Sequence, residues 1–273
     1  RSDMIATRIR QMIHDETLLI SLAGTAIGQV NGLAVADMGD YAFGWPMRLT
    51  ASVGVGAAGV INIERESRLS GRSFDKGMLI LEGYLRSQYA SRHPIALSAS
   101  LAMEQSYSGI DGDSASAAEL ICLLSAIGEV PLRQDLALTG SINQRGEIQA
   151  IGGVNEKIEG FFDICREQGL SGHQGVCIPA ANVQHLILRH DVVEAVRLGQ
   201  FHIWPVRHID EVLELFSGRS AGTIDDLQSV HGQVDQRLKQ MLQTLKSNRG
   251  IVRKAKAKGS TEQPEPTEPG PQF

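Results

Sequence analysis

The chain has 273 residues, enough for one large domain or two small ones with a substantial core. A hydrophobic fraction of 42%, a charged fraction of 21% and a net charge of −5 are ordinary for a globular protein, and the acidic balance gives no electrostatic footprint for nucleic acid. No apolar run reaches the roughly 18 residues that span a bilayer, and no basic-then-apolar leader points to secretion.

Residues 4–13 place Met4, Ile5, Ile9, Met12 and Ile13 at helical spacing. Strand signals follow at Leu18–Leu22, Gly28–Ala36, Met47–Val55 and Val60–Ile63, with turns at Asn31-Gly32, Met38-Gly39-Asp40 and Gly56–Gly59. The first third therefore reads as β-rich. Phe74–Tyr89 changes period, with Met78, Leu81, Leu85 and Tyr89 on one helical face. Ile95–Ala102 reads as a buried strand, and the Ala-rich stretch from Ser114 to Ile127 as a buried helix closed by Gly128.

Short strands are predicted at Leu136–Ser141 and Ile148–Gly152, then a helix from Glu156 to Gln168, capped by Asn155 and ended by Gly169. Val176–Ile178 and Phe201–Val206 read as strands, and Val183–Leu188, Val192–Leu198 and Ile209–Phe216 as helices. Alternating strand and helix give an α/β (α+β mixed) fold, with a β-rich N-terminal part and a βαβ-containing catalytic part. Beyond Ser217, Leu238, Met241, Leu242 and Leu245 form one stripe, so 231–247 reads as a helix. The expected organisation is a helix or linker over 1–15, a domain over 16–217, a helical extension over 218–248 and a disordered tail over 249–273. The start at Arg1-Ser2-Asp3, without Met, fits a domain excised from something longer.

Four features resemble sites without the pattern that a site needs. Gly54-Val55-Gly56-Ala57-Ala58-Gly59 matches G-x-G-x-x-G, but β-branched residues follow where the dinucleotide motif opens a helix, so a glycine-rich hairpin turn is expected. His185, His190, His202 and His208 lack H-E-x-x-H spacing, and Asp111-Gly112-Asp113 lacks the closing Glu of a calcium loop, so no metal site is expected. Cys122, Cys165 and Cys177 are odd in number and form no Cys-x-x-Cys, which reads as reduced core thiols.

Ser114 lies between a glycine-containing turn and the Ala-rich helix. A nucleophile at such a place gains free N–H groups and a favourable helix dipole. The alternative is capping, by Asp113 or Ser114, with Ser116 and Glu119 as a capping box. Lys157 starts an amphipathic helix after the apolar, glycine-rich run Ile151–Val154. Buried there, its amine loses affinity for protons and can act as a base; exposed, it is a solvated helix lysine.

Gly112-Asp113-Ser114-Ala115-Ser116, Thr139-Gly140-Ser141 and Gly152-Gly153-Val154-Asn155-Glu156-Lys157-Ile158-Glu159 together resemble the proteolytic domain of Lon proteases, nearer the LonB-type branch. The separation of 43 residues between Ser114 and Lys157 is also similar to that family's. Gly28–Leu33, Asn62–Glu66 and Lys76–Leu81 look like Lon-related ATP-dependent proteases, and the resemblance covers about residues 14–217.

The resemblance implies a serine endopeptidase. Ser114 is its nucleophile, Lys157 its general base and acid, and Thr139 holds the lysine. The Ser114 N–H contributes to the oxyanion hole, Asp113 caps or influences the dyad, and Glu104 shapes the groove. It further implies unfolded polypeptide substrates, a hexameric ring, a cytoplasmic location and no cofactor in this chain, with ATP used only through an absent AAA+ module. A catalytically silent assembly or substrate-binding domain is the alternative.

Overall fold

The β-rich first third is built round one 14-residue strand. In the computed structural model, which describes residues 2–39 and 41–259, the order begins with α1 (Ser2–His14), β1 (Thr25–Ala26), β2 (Gln29–Asp37), β3 (Ala42–Val55) and β4 (Gly59–Asn62). Then come α2 (Ile63–Glu66), α3 (Arg72–Tyr89), β5 (Leu97–Met103), α4 (Ser116–Gly128), β6 (Leu132–Arg133), β7 (Leu136–Leu138), β8 (Ser141–Ile142) and β9 (Ile148–Gln149). The last elements are α5 (Val154–Gln168), β10 (Gly175–Pro179), a 3-10 helix at Ala180–His185, α6 (His190–Arg197), β11 (His202–Val206), α7 (Ile209–Ser217) and α8 (Val230–Gly259).

A seven-stranded mixed sheet runs β11-β10-β7-β2-β3-β5-β4. From β11 to β2 the neighbours are parallel; β3 is antiparallel to β2 and β5, and β4 is parallel to β5. This is the mixed α/β architecture expected from the alternating pattern. Period-two alternation assigns the strand faces: Leu136, Leu138 and Cys177 join α3, α4, α7 and α8 in one core, while Leu33, Ala137, Val176 and Ile178 join α1, α5 and α6 in another. Thus α4 and α5 cover opposite faces of the sheet. α4 is buried nearly all round, with Leu120 to Leu124 fully enclosed, as a helix between sheet and outer helices must be.

Several local expectations yield to tertiary contacts. Leu18–Leu22 is not a strand, because side chains take its backbone partners: Gln105 bonds Leu19 N–H and Thr17 C=O, and Asn31 donates to Ser21 C=O. The glycine-rich turn at 56–58 is not a hairpin, since β5 lies between β3 and β4 and pairs with both. α5 is not capped by Asn155; it starts after Gly153, and Asn155 instead bonds Ile187 N–H and His185 C=O. α4 ends in a left-handed Glu129 (φ 54°) rather than by a Gly128 cap. α8 continues through 249–259, and 260–273 of the expected tail lie outside the described residues.

Candidate active site

β7 stops at Leu138 because its last bond to β10 is made by Thr139 and Gly140 turns to another partner. Thr139 N–H donates to Cys177 C=O at 3.1 Å, and Gly140 N–H donates to Ser114 C=O at 2.8 Å. Those bonds bring the Ser114 segment, on the α4 face, to the carboxyl end of β7. α5 reaches the same point from the other face. Its close seat on β3 depends on two glycines: a Cβ at Gly160 would lie 1.9 Å from Gly44 O, and one at Gly44 would lie 2.3 Å from Glu156 O. With both absent, Lys157 sinks to 1% exposure.

There Lys157 Nζ lies 2.9 Å from Ser114 Oγ and 3.2 Å from Thr139 Oγ1. Thr139 is fully buried, and its hydroxyl also donates to Ser114 C=O at 3.3 Å. Burial pulls the Lys157 amine down to about 8, and the negative charge of Asp113 opposes that shift. A neutral amine has two N–H donors and one lone pair. With Thr139 as acceptor for one N–H, the lone pair can meet the Ser114 hydroxyl proton.

The capping alternatives are not formed. Ser114 lies outside α4, whose N-cap position is Ala115, and no side chain caps the helix there. Ser116 Oγ accepts from Ile142 N–H at 3.0 Å, and Glu119 faces Asn62 in the interior. Among the described residues the N–H groups of Ser114 and Ala115 have no acceptor, which leaves two donors beside the hydroxyl. Asp113 accepts from Ser141 Oγ at 2.8 Å, tying the turn to β8. Asp111 Oδ1 accepts from Ser73, Phe74 and Gly112 N–H and fastens the turn to the start of α3.

The sequence reading missed the groove walls. A cavity of about 280 Å³ opens beside Ser114, lined by Leu33, Val35, Trp45, Met47, Met103 and Ile110. β2 forms one side, and β7 pairs with it only at Asn31 and Gly32. Beyond Gly32 that edge of β2 faces the groove. Val35, an apolar side chain left 36% exposed, marks that open edge, and nothing in the sequence distinguishes it from a buried strand residue. A second recess on the other side of Ser114 and Lys157 is lined by Asp37, Gly152, Gly153, Glu156 and His185. Glu104 does not line either; it bonds Arg48 and Thr50 on β3. Cys122, Cys165 and Cys177 are buried free thiols. Among the described residues no group of three or more His, Cys, Asp or Glu is placed to hold a metal ion, and no helix is long and apolar enough to cross a membrane.

A buried amine against a hydroxyl, with free N–H donors alongside and an open strand edge above, is an arrangement for nucleophilic attack on a carbonyl. Residues 105–217 match the Lon protease (S16) C-terminal proteolytic domain, and this part of the chain belongs to that family of proteases. The chain is 46% identical over 217 residues to a Lon protease homolog of Escherichia coli (strain K12), covering 79% of this chain and 37% of that protein. It is 44% identical over 209 residues to a Lon protease homolog of Haemophilus influenzae, 76% of this chain and 35% of that one. It is 32% identical over 204 residues to the archaeal Lon protease of Thermococcus kodakarensis, 73% of this chain and 29% of the relative. The chain therefore spans about a third of the length of these curated relatives.

Proposed function

We propose that the chain is a serine endopeptidase with a Ser114–Lys157 dyad, acting on unfolded polypeptide. The observation that carries this reading is the 2.9 Å approach of a lysine amine, buried without an ionised partner, to a serine hydroxyl. Neutral Lys157 takes the Ser114 proton as Oγ attacks the scissile carbonyl. The oxyanion is held by the free N–H groups of Ser114 and Ala115. Lys157 then gives its proton to the leaving amine, and the acyl-enzyme is hydrolysed by water activated in the same way. Thr139 is the lysine's positioning residue, and Asp113 fixes the nucleophile's turn through Ser141.

The open edge of β2 supports extended substrate bound as an added strand. A folded protein does not present its backbone so, which favours unfolded chains. The apolar cavity beside Ser114 suits an apolar side chain next to the scissile bond. The reading carries no cofactor in this chain, with ATP-driven unfolding, a hexameric ring and a cytoplasmic setting belonging to the full-length protein.

Ser114→Ala and Lys157→Met should each reduce hydrolysis of a disordered protein by at least about a thousandfold, the loss typical when a nucleophile or its base is removed, with circular dichroism unchanged. Lys157→Met with full activity would remove the dyad; an inactive parent chain would favour the silent-domain alternative.

A further inference from the structure

Two carboxyl groups that the chemistry above does not use are buried against the same side chain, Asn62. Glu64 on α2 and Glu119 in the first turn of α4 are each 3% exposed. Glu64 Oε1 accepts from Met103 N–H at 2.7 Å, while Glu64 Oε2 has no partner. Glu119 Oε1 accepts from Asn62 Nδ2 at 3.3 Å, and the same nitrogen lies 3.5 Å from Met78 Sδ on α3. Neither carboxyl has a cation beside it among the described residues. The titratable group near Glu119 is the Cys122 thiol on α4, and that thiol in turn feels Glu104, which is paired with Arg48 of β3.

An orphaned acceptor at this depth is expensive, and two buried anions without a cation are more so. One proton removes both problems. We propose that Glu64 and Glu119 share a single proton at neutral pH, a Glu119 carboxyl O–H donating to Glu64 Oε2, and that Glu119 is thereby a positioning residue for the nucleophile.

Both ends of this bond reach the candidate active site. Glu64 holds the backbone of Met103, which lines the cavity beside Ser114. Glu119 N–H donates to Ala115 C=O at 2.9 Å, one residue after Ser114. The shared proton thus ties the groove wall to the helix that presents the hydroxyl. Burial, with the neighbouring charge of Glu64, pushes Glu119 up to about 8, and burial also raises Glu64. Loss of the proton puts two negative charges between wall and helix and drives them apart.

Proton sharing stands without the peptidase reading; only its effect on Ser114 depends on it. The test compares the parent chain with Glu119→Gln, which keeps a donor toward Glu64 but cannot ionise, and Glu119→Leu, which has none. Infrared spectra of the parent should show a protonated-carboxyl C=O band at neutral pH that is lost above about 8 and is missing in Glu119→Gln. A folded-state pKa above the unfolded value gives stability present below about 4.5 and lost as pH rises to about 8, so the parent's Tm should fall across that window and that of Glu119→Gln should fall less.

Labelling of Ser114 by a serine-reactive phosphonate at pH 9 should be about tenfold slower in the parent than in Glu119→Gln, one unit above the ionisation. Glu119→Leu should be slow at every pH. If Glu119→Gln does not fold, Glu64→Gln makes the same comparison with the other member neutralised. Equal Tm profiles for parent and glutamine variants, with no carboxyl band, overturn the shared proton. Absence of labelling in every variant counts against the peptidase reading alone, because the Tm and infrared results are read independently.

Discussion

At the residue scale, Lys157 is costly to the fold that holds it. Its folded-state pKa of about 8 lies below the model-peptide value of 10.5. The folded protein therefore binds this proton less tightly than the unfolded chain does. The penalty is fully present below about 8 and fades as pH rises toward 10.5, amounting to about 3 kcal/mol at neutral pH. Lys157→Met, which fills the same space without a charge, should thus be inactive yet more stable than the parent at pH 6–7. Urea denaturation should show that gain shrinking between pH 8 and 10.5. A destabilised variant at pH 6 would mean that the amine is held charged by partners other than Ser114 and Thr139.

Much at this scale was legible in the sequence. Ser114, Thr139 and Lys157 stand in a motif context that resembles a known one, and the structure gathers all three within hydrogen-bonding distance. The depth of the lysine was not legible. It depends on what packs over α5, and nothing local to 151–160 states whether that helix face is covered.

At the element scale, that depth is set by the contact of α5 with β3. Gly160→Ala would improve helix propensity by about 1 kcal/mol in an isolated helix. Here the added methyl meets Gly44 O at 1.9 Å, and backbone cannot swing aside as a side chain can. The variant should lose about 1–3 kcal/mol, and hydrolysis should drop by more than the lost folded fraction because Lys157 Nζ moves off Ser114. Gly54→Ala, whose Cβ would meet nothing closer than 3.9 Å, is the control and should leave activity unchanged. The same contact explains one failure of sequence reading. β3 begins at Ala42, five residues before the predicted Met47, because Gly44 and Pro46 look like strand breakers. Gly44 is there to admit α5, a reason visible only in three dimensions. The predicted strand Leu136–Ser141 likewise breaks at Gly140, whose N–H goes to Ser114 C=O instead of to β10. Long periodic elements such as α3, α4 and α7 came through almost unchanged, since their apolar spacing already states which face is covered.

At the scale of the whole molecule, the sheet separates two cores, and the nucleophile's segment and its base approach from opposite ones. α8 belongs to the first: Val230, Val234, Leu238 and Met241 lie in the cluster that contains α4. Polar contacts reinforce it, with His231 between Tyr89 Oη at 2.6 Å and Asp210 Oδ1 at 2.9 Å. The sequence reading saw the apolar stripe of this helix but not its partner. Leu238→Ala, at 1% exposure, should lower stability by about 2–4 kcal/mol. Activity per folded molecule should stay at the parent level, because α8 supports α4 from behind and contributes no residue to the lining of the groove. A matched fall in activity at a temperature where the variant remains folded would show that the back of α4 is coupled to Ser114.

The proposed chemistry stands or falls with Lys157 as the base for Ser114. The direct measurement is the rate of Ser114 labelling by a serine-reactive phosphonate as a function of pH, in the parent, Glu119→Gln and Lys157→Met, with the modified residue located by peptide mass spectrometry. The predicted result is labelling at Ser114 alone, rising with pH up to about 8 in the parent, where loss of the shared Glu64–Glu119 proton turns it down again, rising through a midpoint of about 8 to a plateau in Glu119→Gln, and absent in Lys157→Met at every pH. Labelling of Lys157→Met at the parent's rate, or a parent profile without that rise, would contradict it.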